Sequence, residues 1–279
     1  MYSAIAGVVA FAIGHGVNIK QRKLLASFAA PCAALICGFW RGEKWAASCV
    51  NPLRLPLVTY FSAYAIKVLA LKTLDYCLVK KWGGQPRGKL TLDCLDRLCL
   101  FSSSILETLF TFHVVALCLR HENILWLPRD MDCFNCLLII PIIFTVDDMV
   151  YGPAHYAMHT KYLYGYIHEQ HHRQRRPFRG YDDAGNEHPL EQVIGQALLY
   201  GTLVVLLRYV QIHVVAVLLQ FVAYATFAIV NHLPQDVELS VCGFRYQNKL
   251  HEIHHARFKF NYAQNVPLFD IAAGTLKLE

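Results

Sequence analysis

Charged residues are scarce in this chain. Asp, Glu, Lys and Arg make up only 16% of the 279 residues, whereas ordinary soluble domains carry about 25%. Hydrophobic residues account for 55% of the sequence, and the mean hydropathy is +0.32. These values exclude an ordinary soluble domain and predict an integral membrane protein that is embedded as one unit.

Several other signals are missing. The net charge of +6 comes in patches without a long Lys/Arg tract, so no nucleic-acid partner is expected. The ten cysteines lack the spacing of a secreted disulfide scaffold, and the lone pair Cys133 and Cys136 has no strand-helix context, so buried thiols are favoured over redox chemistry. The N-terminus has no basic region of a cleaved signal peptide, which favours a first membrane segment there.

Apolar stretches predict the fold class. They fall near 4–19, 24–40, 55–71, 98–119, 134–150 and 193–230. The last stretch is too long for one crossing of about 20 residues, so we expect a tight helical hairpin with Arg208 at its turn. The sequence therefore predicts an all-α integral membrane protein, a multi-helix transmembrane bundle of about four to seven crossings.

Basic loops predict the orientation of the bundle. Lys and Arg concentrate in loops 20–23, 72–97 and 151–192, which the positive-inside rule places in the cytoplasm. Ten of the fourteen histidines lie in 155–188 and 231–255, both on that side, and the 193–230 hairpin would leave the cytoplasmic face and return to it. We therefore expect a cytosolic helical cap that holds a histidine-rich site for two metals.

The spacing of the histidines indicates metal binding. HEQHH (168–172) and HEIHH (251–255) repeat one pattern, and residues i, i+3 and i+4 share a helix face. The three clusters exceed the four ligands of a tetrahedral zinc, and two further histidines give about five for each of two metals. The ten candidate ligands are His155, His159, His168, His171, His172, His188, His232, His251, His254 and His255. Imidazole suits iron, zinc, copper or nickel, and a nitrogen-rich set without thiolate suits non-haem iron that handles oxygen.

Polar residues near these histidines are candidates to orient them. Pro189 can occupy the first turn of a helix in which Glu191 orients a ligand imidazole or complements the helix dipole. Asp147 and Asp148 precede His155 by one to two turns, where a carboxylate can accept a hydrogen bond from a ligand N–H. Asn231 precedes His232 and is counted with them. A solvated helix face or a structural salt bridge is the alternative for the carboxylates.

From about Asp147 to Thr275 the motifs resemble the fatty acid hydroxylase/sterol desaturase superfamily of membrane-bound di-iron enzymes. The motifs are HxxxH at 155–159, HxxHH at 168–172, His-Pro-x-Glu at 188–191, Asn231-His232, HxxHH at 251–255, Asn261-Tyr262 and Asp270-x-x-x-Gly-Thr. The resemblance implies that the ten histidines ligate two irons, although a purified protein can carry zinc. It implies O2-dependent hydroxylation or desaturation of a lipid, namely a sterol, a sphingoid base or a fatty acyl chain. The HxxxH spacing is more similar to the sterol and sphingoid branches.

Tyr156 and Leu233-Pro234 depart from the family pattern beside candidate ligands, so the substrate stays open. A catalytically inactive membrane scaffold of the same fold, a zinc hydrolase and a metal transporter are the alternatives. A transporter predicts ligands near the bilayer midplane, whereas ten of the histidines lie outside the apolar stretches.

The electron donor is expected to be a separate protein. The sequence has no haem-attachment CxxCH, no GxGxxG and no His-Pro-Gly-Gly. The resemblance therefore implies a separate cytochrome b5 and its reductase, and a multi-pass location in the endoplasmic reticulum membrane with the histidine clusters facing the cytosol. Candidate residues for docking this partner or a lipid headgroup are Arg173, Arg175, Arg176 and Arg179, although positive-inside topology alone also explains them. We expect an N-terminal transmembrane region over 1–133 and a catalytic region over 134–279.

Overall fold

A computed structural model of the chain describes residues 57–82, 91–241 and 244–279, and within these ranges the protein is mostly helical. The α-helices are α1 (Leu57–Trp82), α2 (Cys94–Arg120), α3 (Ile139–Met158), α4 (Tyr181–Ala184), α5 (Pro189–Leu206), α6 (Val214–Asn231), α7 (Asn248–Arg257) and α8 (Leu268–Ala273). Short π-helical segments span Phe134–Leu138 and Tyr164–His168, and 3-10 turns span Pro128–Asp130 and His171–Arg173.

Four helical segments in the described ranges are long and apolar enough to cross a membrane. They are Cys94–Arg120, Phe134–Met158, Pro189–Leu206 and Val214–Asn231. Two of the predicted stretches, 4–19 and 24–40, lie outside the described residues, and 55–71 overlaps α1. The all-α, multi-helix membrane class is confirmed.

Local sequence sets the ends of these helices. At the start of α2, the Asp93 side chain accepts a hydrogen bond from the Asp96 backbone N–H while the Asp96 side chain accepts one from the Asp93 backbone N–H, a reciprocal capping box. Pro189 begins α5, since its missing N–H has no helical partner to lose. Phe258, at φ 60°, ends α7 in the left-handed conformation.

The core of the bundle lies among α2, α3, α5 and α6. Fully buried side chains there include Ile139, Ile143, Leu203, Leu207 and Ala216. The predicted stretch 193–230 divides into α5 and α6, with Arg208 in the connection between them. However, α5 packs mainly against α2 and α3, whereas α6 packs against α3 and α1, so these helices do not form the tight hairpin that we expected.

Two short strand pairs join the helices. Strands β1 (Ile124–Leu125) and β2 (Ile212–His213) pair in parallel, in register Ile124↔Ile212. Strands β3 (Glu238–Val241) and β4 (Phe244–Gln247) form an antiparallel pair between α6 and α7. This pair reverses the chain after α6 and returns HEIHH to the bundle end where α3 ends and α5 begins.

Candidate metal centre

Nine buried or nearly buried histidines converge in two groups. Group 1 consists of His155, His159, His168, His172 and His254, and group 2 of His171, His232, His251 and His255. Within each group, the ring nitrogens that could bind a metal all lie within 4.8 Å of one another. The sequence neighbours His171 and His172 enter different groups, so the 3-10 turn that carries them joins the two sites.

Group 1 joins the end of α3 to the loop after it and to α7. His155 lies in the last turn of α3, and its Nε2 is 2.9 Å from Nε2 of His168. The Nε2 of His172 lies 2.9 Å from that of His168 and 3.1 Å from that of His254. The His159 Nε2 is 3.1 Å from the His254 Nε2, so five nitrogens face one point.

Group 2 joins the end of α6 to α7. His232 follows the last residue of α6, and its Nε2 lies 3.3 Å from Nε2 of His251. The His255 Nε2 is 3.1 Å from the same atom. The His171 ring completes the group, with its centroid 4.8 Å from that of His255 and 5.2 Å from that of His232.

Backbone carbonyls and one carboxyl group fix the orientation of five rings through Nδ1. The acceptors are Tyr262 O for His155, Phe260 O for His254, Ala228 O for His232, Gln174 O for His255 and Glu191 Oε1 for His168, at 2.6–3.2 Å. Each acceptor requires a proton on Nδ1, which leaves the lone pair on Nε2. The five Nε2 lone pairs therefore point into the groups.

This donor set fits metal ions. Burial lowers the pKa of His168, His171 and His255 well below the usual value, and burial together with His155 lowers that of His159 to about 3. The rings are therefore neutral at pH 7, and nitrogen lone pairs that approach to 2.9–3.3 Å repel unless a cation lies between them. Neutral imidazoles whose Nδ1 is hydrogen-bonded and whose Nε2 is directed inward are the usual protein ligands of transition metals.

The polar residues expected beside the ligands take different roles. Glu191 contacts His168 at 2.6 Å and is buried. The carboxylate of Asp148 instead accepts hydrogen bonds from the backbone N–H groups of 264–266, at 2.6–3.0 Å. Asp147 is buried on α3, and its Oδ1 has no hydrogen-bond partner in the described structure. Asn231 donates to Gln264 O and accepts from the Tyr246 hydroxyl, so it also holds the 264–266 loop rather than a ring.

The tenth candidate, His188, lies outside both groups. Its Nδ1 accepts a hydrogen bond from the Leu190 backbone N–H at 3.2 Å and caps α5. Of the four arginines, Arg173 pairs with Asp93 and Asp96, and Arg179 pairs with Asp183. The Arg175 guanidinium lies over the Phe258 ring, and Arg176 is exposed.

The sequence analysis named Asn261-Tyr262 and Asp270 only as family motifs and did not assign them the turn that supplies two carbonyl acceptors. Asn261 adopts φ 57°, and its side chain bonds Leu250 O, Lys277 O and the Lys277 N–H. Asp270 accepts from the backbone N–H groups of Tyr262 and Ala263 at 2.7 and 2.8 Å. These contacts hold the carbonyls of Phe260 and Tyr262 against the rings. The signal was present, since Asn tolerates positive φ better than most residues.

Comparison with known proteins indicates the same family as the sequence motifs. Residues 140–275 match the family model described as fatty acid hydroxylase. Methylsterol monooxygenase 1 of Gallus gallus is 29% identical over 153 residues, which cover 54% of this chain and 47% of that protein. The chain thus spans about half the length of this relative. No solved structure matches the chain significantly. The family match, the relative and the ordered histidine motifs together support the assignment of residues 140–275 to the fatty acid hydroxylase/sterol desaturase superfamily.

Proposed function

We propose that the protein is a membrane-bound, O2-dependent lipid hydroxylase or desaturase whose two histidine groups each hold an iron ion. The convergence of nine imidazoles, eight of them buried, in two adjoining groups carries this proposal, and the five rings with an Nδ1 acceptor direct their lone pairs inward. A purely structural core would not place so many neutral nitrogen lone pairs within contact distance of one another.

The family and the relative support a lipid substrate. The family model is described as fatty acid hydroxylase, and the relative is named a methylsterol monooxygenase. A sterol is therefore the first substrate class to test, followed by sphingoid bases and fatty acyl chains. The metal groups begin at the last turn of a candidate membrane span, where His155 lies, so a lipid in the bilayer has a short path to them.

The side chains of the protein position the ions and limit access of water. The bound irons would supply the oxygen activation and C–H oxidation that amino-acid side chains cannot perform. The carbonyl and carboxyl acceptors hold the rings in one orientation, so little reorganisation is needed. The rings of Phe258 and Tyr164 cover group 1, with centroids 4.8 Å from His172 and 5.6 Å from His159. An apolar wall of this kind excludes water from that side of the group.

A separate electron donor, such as cytochrome b5 with its reductase, is part of the proposal. Arg175 and Arg176 are two exposed cations near the centre, whereas Arg173 and Arg179 already pair with carboxylates of this chain. Arg175 and Arg176 could contact an acidic partner surface or lipid phosphates. We place the protein in the endoplasmic reticulum membrane with the histidine groups on the cytosolic face.

The decisive experiment compares the lipids of cells that express the protein with those of cells that express His171→Ala. A lipid that gains one oxygen or loses two hydrogens only with the intact histidine identifies both substrate and reaction. Purified protein should bind two irons per chain and consume O2 when it is reduced in the presence of that lipid.

The alternatives predict different outcomes. An inactive scaffold leaves the lipids unchanged although the protein folds, and a zinc hydrolase retains activity with zinc and without O2. A metal transporter moves iron or zinc across vesicle membranes. The position of both groups beyond or at the ends of the candidate spans argues against the transporter, because transport sites lie near the midplane.

A further inference from the structure

The turn between the two metal groups carries two histidines whose Nδ1 atoms lack a hydrogen-bond partner in the described structure. His171 and His172 lie in the 3-10 turn His171–Arg173, and their rings stand at 85° to each other, which directs them to different groups. The Nδ1 atoms of both rings are buried and have no hydrogen-bond partner in the described structure. Unlike the five rings with an Nδ1 acceptor, these two depend on the backbone of the turn for their orientation.

Both ends of this turn are bound to one carboxylate, that of Asp96. Its Oδ1 accepts from Gln170 Nε2 at 3.0 Å, just before the turn, and from Arg173 Nη1 at 2.7 Å, at the last residue of the turn. It also accepts from Asn186 Nδ2 at 3.0 Å, while Gln170 Nε2 donates to Asn186 Oδ1 at 2.7 Å. Gln170, Asn186 and Asp96 thus form a closed triangle of hydrogen bonds at the start of the turn.

The environment of Asp96 makes this carboxylate a rigid anchor. It is 2% exposed, and its Oδ2 accepts the Asp93 backbone N–H at 2.9 Å in the capping box of α2. The neighbouring Asp93 binds the other guanidinium nitrogen of Arg173 at 2.6 Å. A buried charge-assisted network of this kind is costly to leave incomplete, so it favours a single arrangement of the turn.

We propose that Asp96 is a positioning residue for the metal centre, which holds the 170–173 turn so that His171 and His172 are directed into separate metal groups. This inference rests on the proposed function only in that the two groups bind metal. Asp96 lies on α2, outside residues 140–275 of the family match, so the N-terminal part of the chain completes the site.

The test uses the purified full-length chain in detergent, stripped of metal and titrated with Co2+ against a chelator. Asp96→Ala removes the anchor, and Gln170→Met removes one donor from a half-buried position with little change in volume. Asp132→Ala is the matched control. Asp132 bonds Asn135 near the start of the Phe134–Met158 segment, at the other end of the bundle.

We expect Asp96→Ala and Gln170→Met each to weaken Co2+ binding about 10-fold or more, in line with the usual effect of residues that orient metal ligands. Both variants should change the visible absorption of the bound Co2+, while Asp132→Ala leaves affinity and spectrum as in the wild type. The double variant should lose less affinity than the sum of the losses of the two single variants, because both changes remove the Gln170–Asp96 contact.

Wild-type affinity and spectrum in Asp96→Ala and Gln170→Met would overturn the inference. If Asp96→Ala fails to fold, Gln170→Met decides alone, and cooperative thermal unfolding of its metal-free form checks that it is folded. A protein that binds two metals and oxidises no lipid would refute the proposed function and leave this result intact.

Discussion

Replacement of Glu191 by Ala tests whether the carboxyl group fixes a metal ligand. Glu191 accepts from His168 Nδ1 at 2.6 Å, and both side chains are nearly inaccessible to solvent. His168 stands at the centre of group 1, since its Nε2 lies 2.9 Å from that of His155 and 2.9 Å from that of His172. A change in this ring should therefore affect the whole group.

The expected magnitude follows from the lost contact. Without an acceptor, the buried His168 N–H is left unpaired at a cost of about 1–3 kcal/mol. Because each 1.4 kcal/mol corresponds to a tenfold change in an equilibrium constant, metal affinity of group 1 should fall roughly 5- to 150-fold. This range agrees with the 10- to 100-fold that is typical for partners of metal ligands.

Chelator competition with Co2+ measures the effect. Glu191→Gln keeps an oxygen acceptor and should lose less affinity than Glu191→Ala. Glu107→Gln is a control, because Glu107 pairs with Lys67 at 2.8 Å and contacts neither group. Equal affinity for wild type and Glu191→Ala, with both proteins folded, would refute the assignment of this contact as an orienting one.

Three further predictions test the site and its supports. Asp148→Asn should lower the unfolding free energy by about 2–3 kcal/mol, because three backbone N–H groups lose a carboxylate partner. An unchanged melting temperature would contradict this expectation. His188→Asn keeps a capping side chain, so the protein should retain both metals. His171→Ala should lose metal from group 2. Elemental analysis measures both variants, and loss of metal in His188→Asn would show that His188 is a ligand. In the metal-free protein, burial lowers the pKa of His251 and His255, so the unfolded chain binds more protons below the usual pKa of about 6.5. The melting temperature should therefore fall as the pH drops below that value, and a flat profile from about pH 7 to 5 would argue against buried neutral rings.

The membrane class and the candidate ligands could be predicted from the sequence because both depend on local properties. A bilayer excludes charge and requires internal backbone hydrogen bonds, so the apolar stretches 98–119 and 134–150 predict helices wherever they occur. Histidines at i, i+3 and i+4 share a helix face, which made HEQHH and HEIHH candidate sites. Nine of the ten chosen histidines lie in the two groups.

Contacts between distant segments determine the features of the site that the sequence did not predict. The sequence does not reveal that His171 and His172 part into different groups, because this depends on a 3-10 turn bound to Asp96, more than 70 residues away. It suggested Asp148 as a neighbour of a ligand, but the backbone of 264–266 competes for that carboxylate and takes both of its oxygens. Most Nδ1 acceptors are main-chain carbonyls, which every residue carries, so only the folded path of the chain determines which of them reach a ring.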